Sequence, residues 1–157
     1  MGQRAAEEIT LGRYEKPYDF YNWGEDGPGE LLDGSYYAVY RREEADEENL
    51  WAFVCYGVNA QINPEIGRTA VYTANYTDIG LGMAPQYCGK GWGGSFLKAA
   101  LSFGRGQGLG PFRLTVAKFN QRAAAAYQKA GFREEQTVLQ KGTGRPFVVM
   151  TLNQQGE

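Results

Sequence analysis

The segment QYCGKGWGGSF, residues 86–96, packs four glycines into the six positions from Gly89 to Gly94 and runs straight into an apolar stretch. Glycines at this density let a backbone turn tightly and let its N–H groups approach a bound atom with no Cβ in the way. From Trp92 to about Gly106, Phe96, Leu97, Ala100 and Leu101 recur at helical spacing, so the turn opens a helix. The unsatisfied N–H groups of that first turn and the positive end of the helix dipole together favour a bound anion. Before the turn, YTDIGLGM at 76–83 reads as a strand in which Gly80 and Gly82 mark either a bulge or a close backbone approach. The rest of the chain has to be built around strand, glycine turn and helix in that order.

Charge distribution narrows the anion. The 157 residues carry a net charge of −2, but Ile79 to Arg133 contains no Asp or Glu. Lys90, Lys98, Arg105, Arg113, Lys118, Arg122, Lys129 and Arg133 give that span +8, leaving −10 for the remainder. An acid-free stretch around a glycine turn fits a polyanionic ligand, because a field summed over a cleft concentrates the opposite charge. Nucleic acid is not the expected partner, since the sequence pI is about 5.3 and no recognition helix or basic cluster stands out.

Length and composition describe a single domain over 1–157, with residues 1–8 as a flexible lead-in. Apolar residues at 43% and charged residues at 22% are the mix of a soluble globular protein. The apolar runs are short and MGQRAAEEITL lacks a hydrophobic signal region, so no membrane association is expected and the cytoplasm is the default location. There is no histidine, and the cysteines are Cys55 and Cys88. That removes a Ser-His-Asp triad, a Cys-His pair and nearly every zinc site, so no metal is expected. Cys55, inside LWAFVCYGV, reads as a reduced core residue.

The pattern along the chain is that of a mixed α/β protein of the α+β type. ITLGRYE at 9–15 reads as a first strand, and YDFYNWGEDGPGELLDG at 18–34 as short helical pieces broken by Gly and Pro. SYYAVYRR (35–42) and LWAFVCYGVNAQI (50–62) read as antiparallel strands across the acidic turn EEADEEN. FRLTVAKF at 112–119 alternates with period two. NQRAAAAYQKAGF then forms an Ala-rich helix with Asn120 as N-cap and Gly131 just past its end. REEQTVLQ and PFVVMTL close the chain as two strands around the turn KGTGR.

Two common readings of the glycine turn fail. Gly89, Gly91 and Gly94 satisfy the dinucleotide pattern GxGxxG, but that fold needs an acidic residue about 20 positions on, and the first acid after the turn is Glu134. A Walker A loop needs GK followed by Ser or Thr, whereas Gly91 is followed by Trp92.

A third reading joins the turn to its surroundings. The loop CGKGWG after strand DIGLGMAP resembles the acetyl-CoA loop of the GNAT superfamily of N-acetyltransferases, usually written (Arg/Gln)xxGxG(Gly/Ala), with Cys88, Gly91 and Gly93 at the key positions. One helix and one strand later, Asn120, Arg122, Ala123, Tyr127, Lys129, Gly131 and Phe132 match the family pattern NxRAxxxYxKxGF. The resemblance implies a mostly antiparallel sheet of about seven strands, the fourth and fifth splayed, with flanking helices. It departs from the family at Cys88, where Arg or Gln is usual. That position contributes largely through its backbone N–H, and Cys88 is either a small residue suited to a tight loop or a redox site.

In such a fold the pyrophosphate of acetyl-CoA, the cosubstrate, sits on the N–H groups of Gly89, Lys90, Gly91, Trp92, Gly93, Gly94 and Ser95. The pantetheine arm pairs with the backbone of the splayed strand at Leu81, Gly82 and Met83, with Asn120, Ala123 and Tyr127 on its other side. The resemblance gives Tyr127 the role of acid for the departing thiolate. An alkylamine of pKa about 10.4 is protonated at neutral pH, so its proton must leave to a base or to water. Asp78, at the start of the splayed strand, is the acidic residue nearest the thioester, and a water chain is the alternative. With no cysteine-histidine pair to support a covalent intermediate, the amine would attack acetyl-CoA directly in a ternary complex. The acceptor is a small-molecule or protein amine, with polyamines, aminoglycosides, lysine side chains and protein N-termini all open. Asp19, Glu25, Asp26, Glu30 and Asp33 with Tyr18, Tyr21 and Trp23 would make a rim suited to a cation. A homodimer is compatible with this reading, and a CoA-binding sensor without turnover is the alternative to an enzyme.

Overall fold

The computed structural model describes residues 1–13, 36–42, 48–83, 88 and 93–153. These form four helices and six strands: α1 (Gln3–Leu11), β1 (Tyr36–Arg42), β2 (Glu48–Tyr56), α2 (Arg68–Val71), β3 (Thr77–Met83), α3 (Gly93–Gly106), β4 (Phe112–Ala117), α4 (Gln121–Lys129), β5 (Arg133–Leu139) and β6 (Pro146–Leu152). The fold is mixed α+β with mostly antiparallel strands, six rather than about seven. The chain packs as two units: Met1–Cys55 with Leu81–Trp92, and Tyr56–Gly80 with Gly93–Glu157. No described helix is long and apolar enough to cross a membrane.

In the first unit the strand expected at 9–15 is absent from the described residues: Ile9, Thr10 and Leu11 complete α1. The β-branched pair suggested a strand, but the run RAAEE before it favours helix, and Ala5, Ala6 and Thr10 are buried along one side. The same helix takes up most of the expected flexible lead-in at 1–8. β1 and β2 pair antiparallel from Tyr36↔Cys55 to Arg42↔Glu48, with a bulge between Val39 and Tyr40. The hairpin buries Tyr36, Leu50, Ala52, Val54 and Cys55. The proposed rim at 18–34 lies outside the described residues, as does most of the acidic turn.

In the second unit β4 is central. It runs antiparallel to β6 from Phe112↔Leu152 to Ala117↔Phe147, and β5 pairs antiparallel with β6 beyond it. Its pairing with β3 is parallel and covers only Thr77↔Phe112 and Asp78↔Arg113. A parallel pair requires a crossover, and α3 supplies it. α3 buries Phe96, Leu97, Ala100, Leu101 and Gly104, a stripe at helical spacing, and Tyr56 donates its hydroxyl to the Ala100 carbonyl at 2.6 Å.

Gly104 shows why a helix interior carries a glycine. A Cβ there would lie 2.8 Å from Cζ of Phe112 and 2.9 Å from Cε1 of Tyr56, so the helix seats directly on two rings. Gly104→Ala sets an overpacking cost of about 1–3 kcal/mol against a helix-propensity gain of up to about 1 kcal/mol. Thermal unfolding should therefore show a net loss of about 1–2 kcal/mol. A stabilised variant would mean the rings move aside freely.

Candidate functional site

α3 opens on small residues. Gly93, Gly94 and Ser95 are exposed, and a Cβ on either glycine would meet nothing within 4 Å. The first turn holds no acidic residue and the last holds Arg105, the charge order that leaves the N-terminal end electropositive. Lys98, Arg105, Lys118, Arg122, Lys129 and Arg133 are all exposed. Gly89, Lys90, Gly91 and Trp92 lie outside the described residues.

α4 carries the other matched segment. The Asn120 side chain accepts the Ala123 N–H at 3.2 Å, the N-cap expected from sequence. Ala123 and Tyr127 are half-buried, and the Tyr127 ring meets the edge of Phe132 with centroids 6.0 Å apart. Tyr127 also fixes the end of its helix, because its carbonyl accepts the N–H groups of Ala130 and Phe132. The chain then leaves through Gly131 at φ +105°, a conformation glycine tolerates best.

In the first unit Leu81, Gly82 and Met83 are half-buried. A Cβ on Gly82 would overlap the Phe53 ring, so of the two readings the sequence left open for this glycine, close approach is the one observed. The thiol of Cys88 lies 3.6 Å from the Met83 carbonyl, a contact within hydrogen-bonding range for sulfur.

Asp78 sits at the start of β3 in an unexpected setting. It is 2% exposed and receives Nε and Nη2 of Arg113 at 2.7 and 2.6 Å, a bidentate pair inside the protein. Gln61 donates to the same carboxylate at 2.9 Å and is in turn held by Arg68 at 3.0 Å. Arg113 also donates to the Thr73 carbonyl at 3.0 Å, and its guanidinium lies 5.1 Å from the Tyr72 ring centroid and 5.5 Å from that of Tyr76. Of the eight basic residues in the acid-free span, Arg113 is therefore committed to the interior.

Tyr72 completes this cluster. Burial pushes its hydroxyl above the ordinary tyrosine range, outweighing the opposing hydrogen bonds to Thr115 and the Ile62 backbone. Sequence reasoning missed Arg113, Gln61, Tyr72 and Thr115. The available signal was Arg113 itself, a charged residue in a strand otherwise too apolar to be an edge.

No match to a curated protein was found. Solved structures share the fold: a chimera of the spermidine N-acetyltransferase SpeG from Vibrio cholerae and hSSAT is 19% identical with a TM-score of 0.63, covering 97% of this chain and 93% of that one. The spermidine/spermine N-acetyltransferase SpeG from Vibrio cholerae, in complex with manganese ions, is 18% identical with a TM-score of 0.62, covering 96% and 85%. Among the described residues here, no group of three or more His, Cys, Asp or Glu is placed to hold a metal ion. The model of the Acetyltransferase (GNAT) family matches residues 5–132. With that match over most of its length, this chain belongs to the GNAT acetyltransferases, enzymes that use acetyl-CoA to acetylate an amine.

Proposed function

We propose that the protein transfers the acetyl group of acetyl-CoA to a primary amine of a cationic acceptor by direct attack in a ternary complex. The observation that carries this is the opening of α3, where small, exposed Gly93, Gly94 and Ser95 begin a helix whose first turn has no acid. A pyrophosphate suits that end by charge and by hydrogen bonding. In this reading, by the family resemblance, Gly89 to Trp92, Leu81 to Met83, Asn120 and Ala123 are assigned to CoA binding.

The amine first loses one proton to water. Its nitrogen then forms the C–N bond to the thioester carbon, the C–S bond breaks, and the thiolate takes a proton from Tyr127, which regains one from the amine nitrogen through solvent. Asp78 is assigned a structural role here instead of the base, because both its oxygens are engaged by Arg113 and Gln61. The names of the spermidine N-acetyltransferases that share the fold, and the acidic, aromatic composition of 18–34, favour a polyamine over the other acceptors. A homodimer is compatible with this reaction.

Thermal unfolding with acetyl-CoA, using NAD as control, should show stabilisation of about 2.7 kcal/mol at 100 times the dissociation constant. Thiol release against an amine panel should then identify the acceptor. The engaged carboxylate of Asp78 favours a second reading, a CoA-binding sensor, and stabilisation without thiol release from any amine would select it. No stabilisation would refute both.

A further inference from the structure

Phe53 and Gly82 meet across neighbouring strands, β2 and β3. A Cβ on Gly82 would overlap Cε2 and Cζ of the ring, so the ring edge occupies the slot where any other residue at 82 would place its side chain. Across the hairpin Phe53 faces Ala38, its Cα partner on β1. With only a methyl group on one side and no side chain on the other, the ring has room over either neighbour, and it lies over Gly82. Tyr36, buried on the same face of the hairpin by alternation, packs against it with ring centroids 5.7 Å apart and planes tilted by 54°. Phe53 itself is half-buried.

We propose that Phe53 is a specificity-determining residue for the acyl donor, restricting it to a short acyl chain. This rests on the reading above, in which Leu81, Gly82 and Met83 bind CoA. The glycine turn follows Met83 in the chain, so a cosubstrate held there by its pyrophosphate comes onto β3 from the C-terminal end of the strand. Its arm passes Met83 first, and its acyl end lies farthest back, at Gly82 and Leu81. The space above Gly82 is the space that the ring fills.

An acetyl group is small enough to end beside the ring edge. A butyryl group adds two methylenes that need the volume taken by the ring, and Tyr36 is packed where the ring would have to move. Forcing carbon into a filled site is costly, so the longer donor is excluded by a clash and not by the loss of an attraction. Gly82 makes this possible, since a side chain at 82 would push the ring off the strand.

The test compares acetyl-CoA with butyryl-CoA on the full chain, first as dissociation constants by calorimetry without any amine, then as thiol release with spermidine and the other amines of the panel. Wild type should bind acetyl-CoA at least about tenfold more tightly than butyryl-CoA, the cost of overpacking expressed as affinity. Phe53→Ala should bring the two donors within about threefold, chiefly by tightening butyryl-CoA, and kcat/KM should move the same way. Phe53→Leu, which keeps a smaller apolar side chain beside Gly82, should fall between. A ring that only covers Gly82 would not change the ratio, because its loss would weaken both donors alike.

Equal dissociation constants in the wild type, or an unchanged ratio in a Phe53→Ala variant that thermal unfolding shows to be folded, would overturn the proposal. If Phe53→Ala does not fold, Phe53→Leu provides the comparison. Binding of acetyl-CoA without thiol release from any amine would sink acetyl transfer alone, and the two dissociation constants would still decide the role of Phe53. Binding of neither donor would overturn both.

Discussion

Arg113→Met should lower the unfolding free energy by about 3–5 kcal/mol, the usual cost of removing one partner from a buried ion pair. In a chain of this size that is a fall in Tm of roughly 10 °C. The variant leaves the Asp78 carboxylate, 2% exposed, with the Gln61 side-chain amide donating to it and the guanidinium gone. It also withdraws a guanidinium stacked against Tyr72 and Tyr76 and hydrogen-bonded to Thr73. Arg113→Lys should recover only part of the loss, since an ammonium cannot make the bidentate fork or lie flat against two rings. The double variant Asp78→Leu/Arg113→Met should regain most of it, because two apolar side chains carry no desolvation penalty. A wild-type Tm in Arg113→Met would mean that water reaches the pair and the burial seen here is not maintained.

The position of this pair explains its weight. Asp78 and Arg113 are Cα partners on the last rung that β3 shares with β4. A parallel ladder of two residue pairs supplies few backbone hydrogen bonds, so a cross-strand ion pair with three further donors and acceptors contributes much of the attachment at that point. Breaking it should loosen the start of β3 before it disturbs β4, which β6 holds along six consecutive residues. Hydrogen exchange would show this as faster exchange at Thr77 to Gly80 than at Leu114 to Val116.

Those same residues mark where the sequence was readable and where it was not. α3 was legible because its apolar residues recur at helical spacing, α4 because its ends carry local signals, Asn120 as a cap and Gly131 as a stop, and β6 because Phe147 to Met150 form an apolar run. α1 was misread because Ile9 and Thr10 favour strands locally, whereas the burial of Ala5 and Ala6 that decides the matter is tertiary. β4 looked half exposed: Arg113 and Thr115 alternate with Phe112, Leu114 and Val116, and period two assigns such residues to a wet face. Here both faces are covered and the charge is neutralised by a residue 35 positions away, which no local pattern encodes. The partners of Asp78 were illegible for the same reason. An acid near a presumed site reads as a base until its partner is known, and Tyr72, Gln61 and Arg68 gave no sign in sequence that they converge on it.

Tyr127→Phe should lower kcat by about 10²-fold, the lower end of what a positioned general acid contributes, while CoA affinity stays within a few-fold. The substitution isolates one atom. Phenylalanine keeps the edge contact with Phe132, and the helix end fixed through the Tyr127 carbonyl involves only backbone. Asn120 still caps the helix through Ala123, and Tm measured on the same variant separates any packing effect from the chemistry. Loss of rate without loss of stability or CoA binding would therefore report the hydroxyl alone, as expected if it protonates the departing thiolate. The rate should recover in part with acyl donors whose thiols are more acidic, because a better leaving group needs less help from an acid. Unchanged kcat with natural acetyl-CoA would remove Tyr127 from the chemistry and leave it a packing residue of α4. Weakened CoA binding with unchanged rate would instead make it a ligand contact, and the proton for the thiolate would then have to come from solvent.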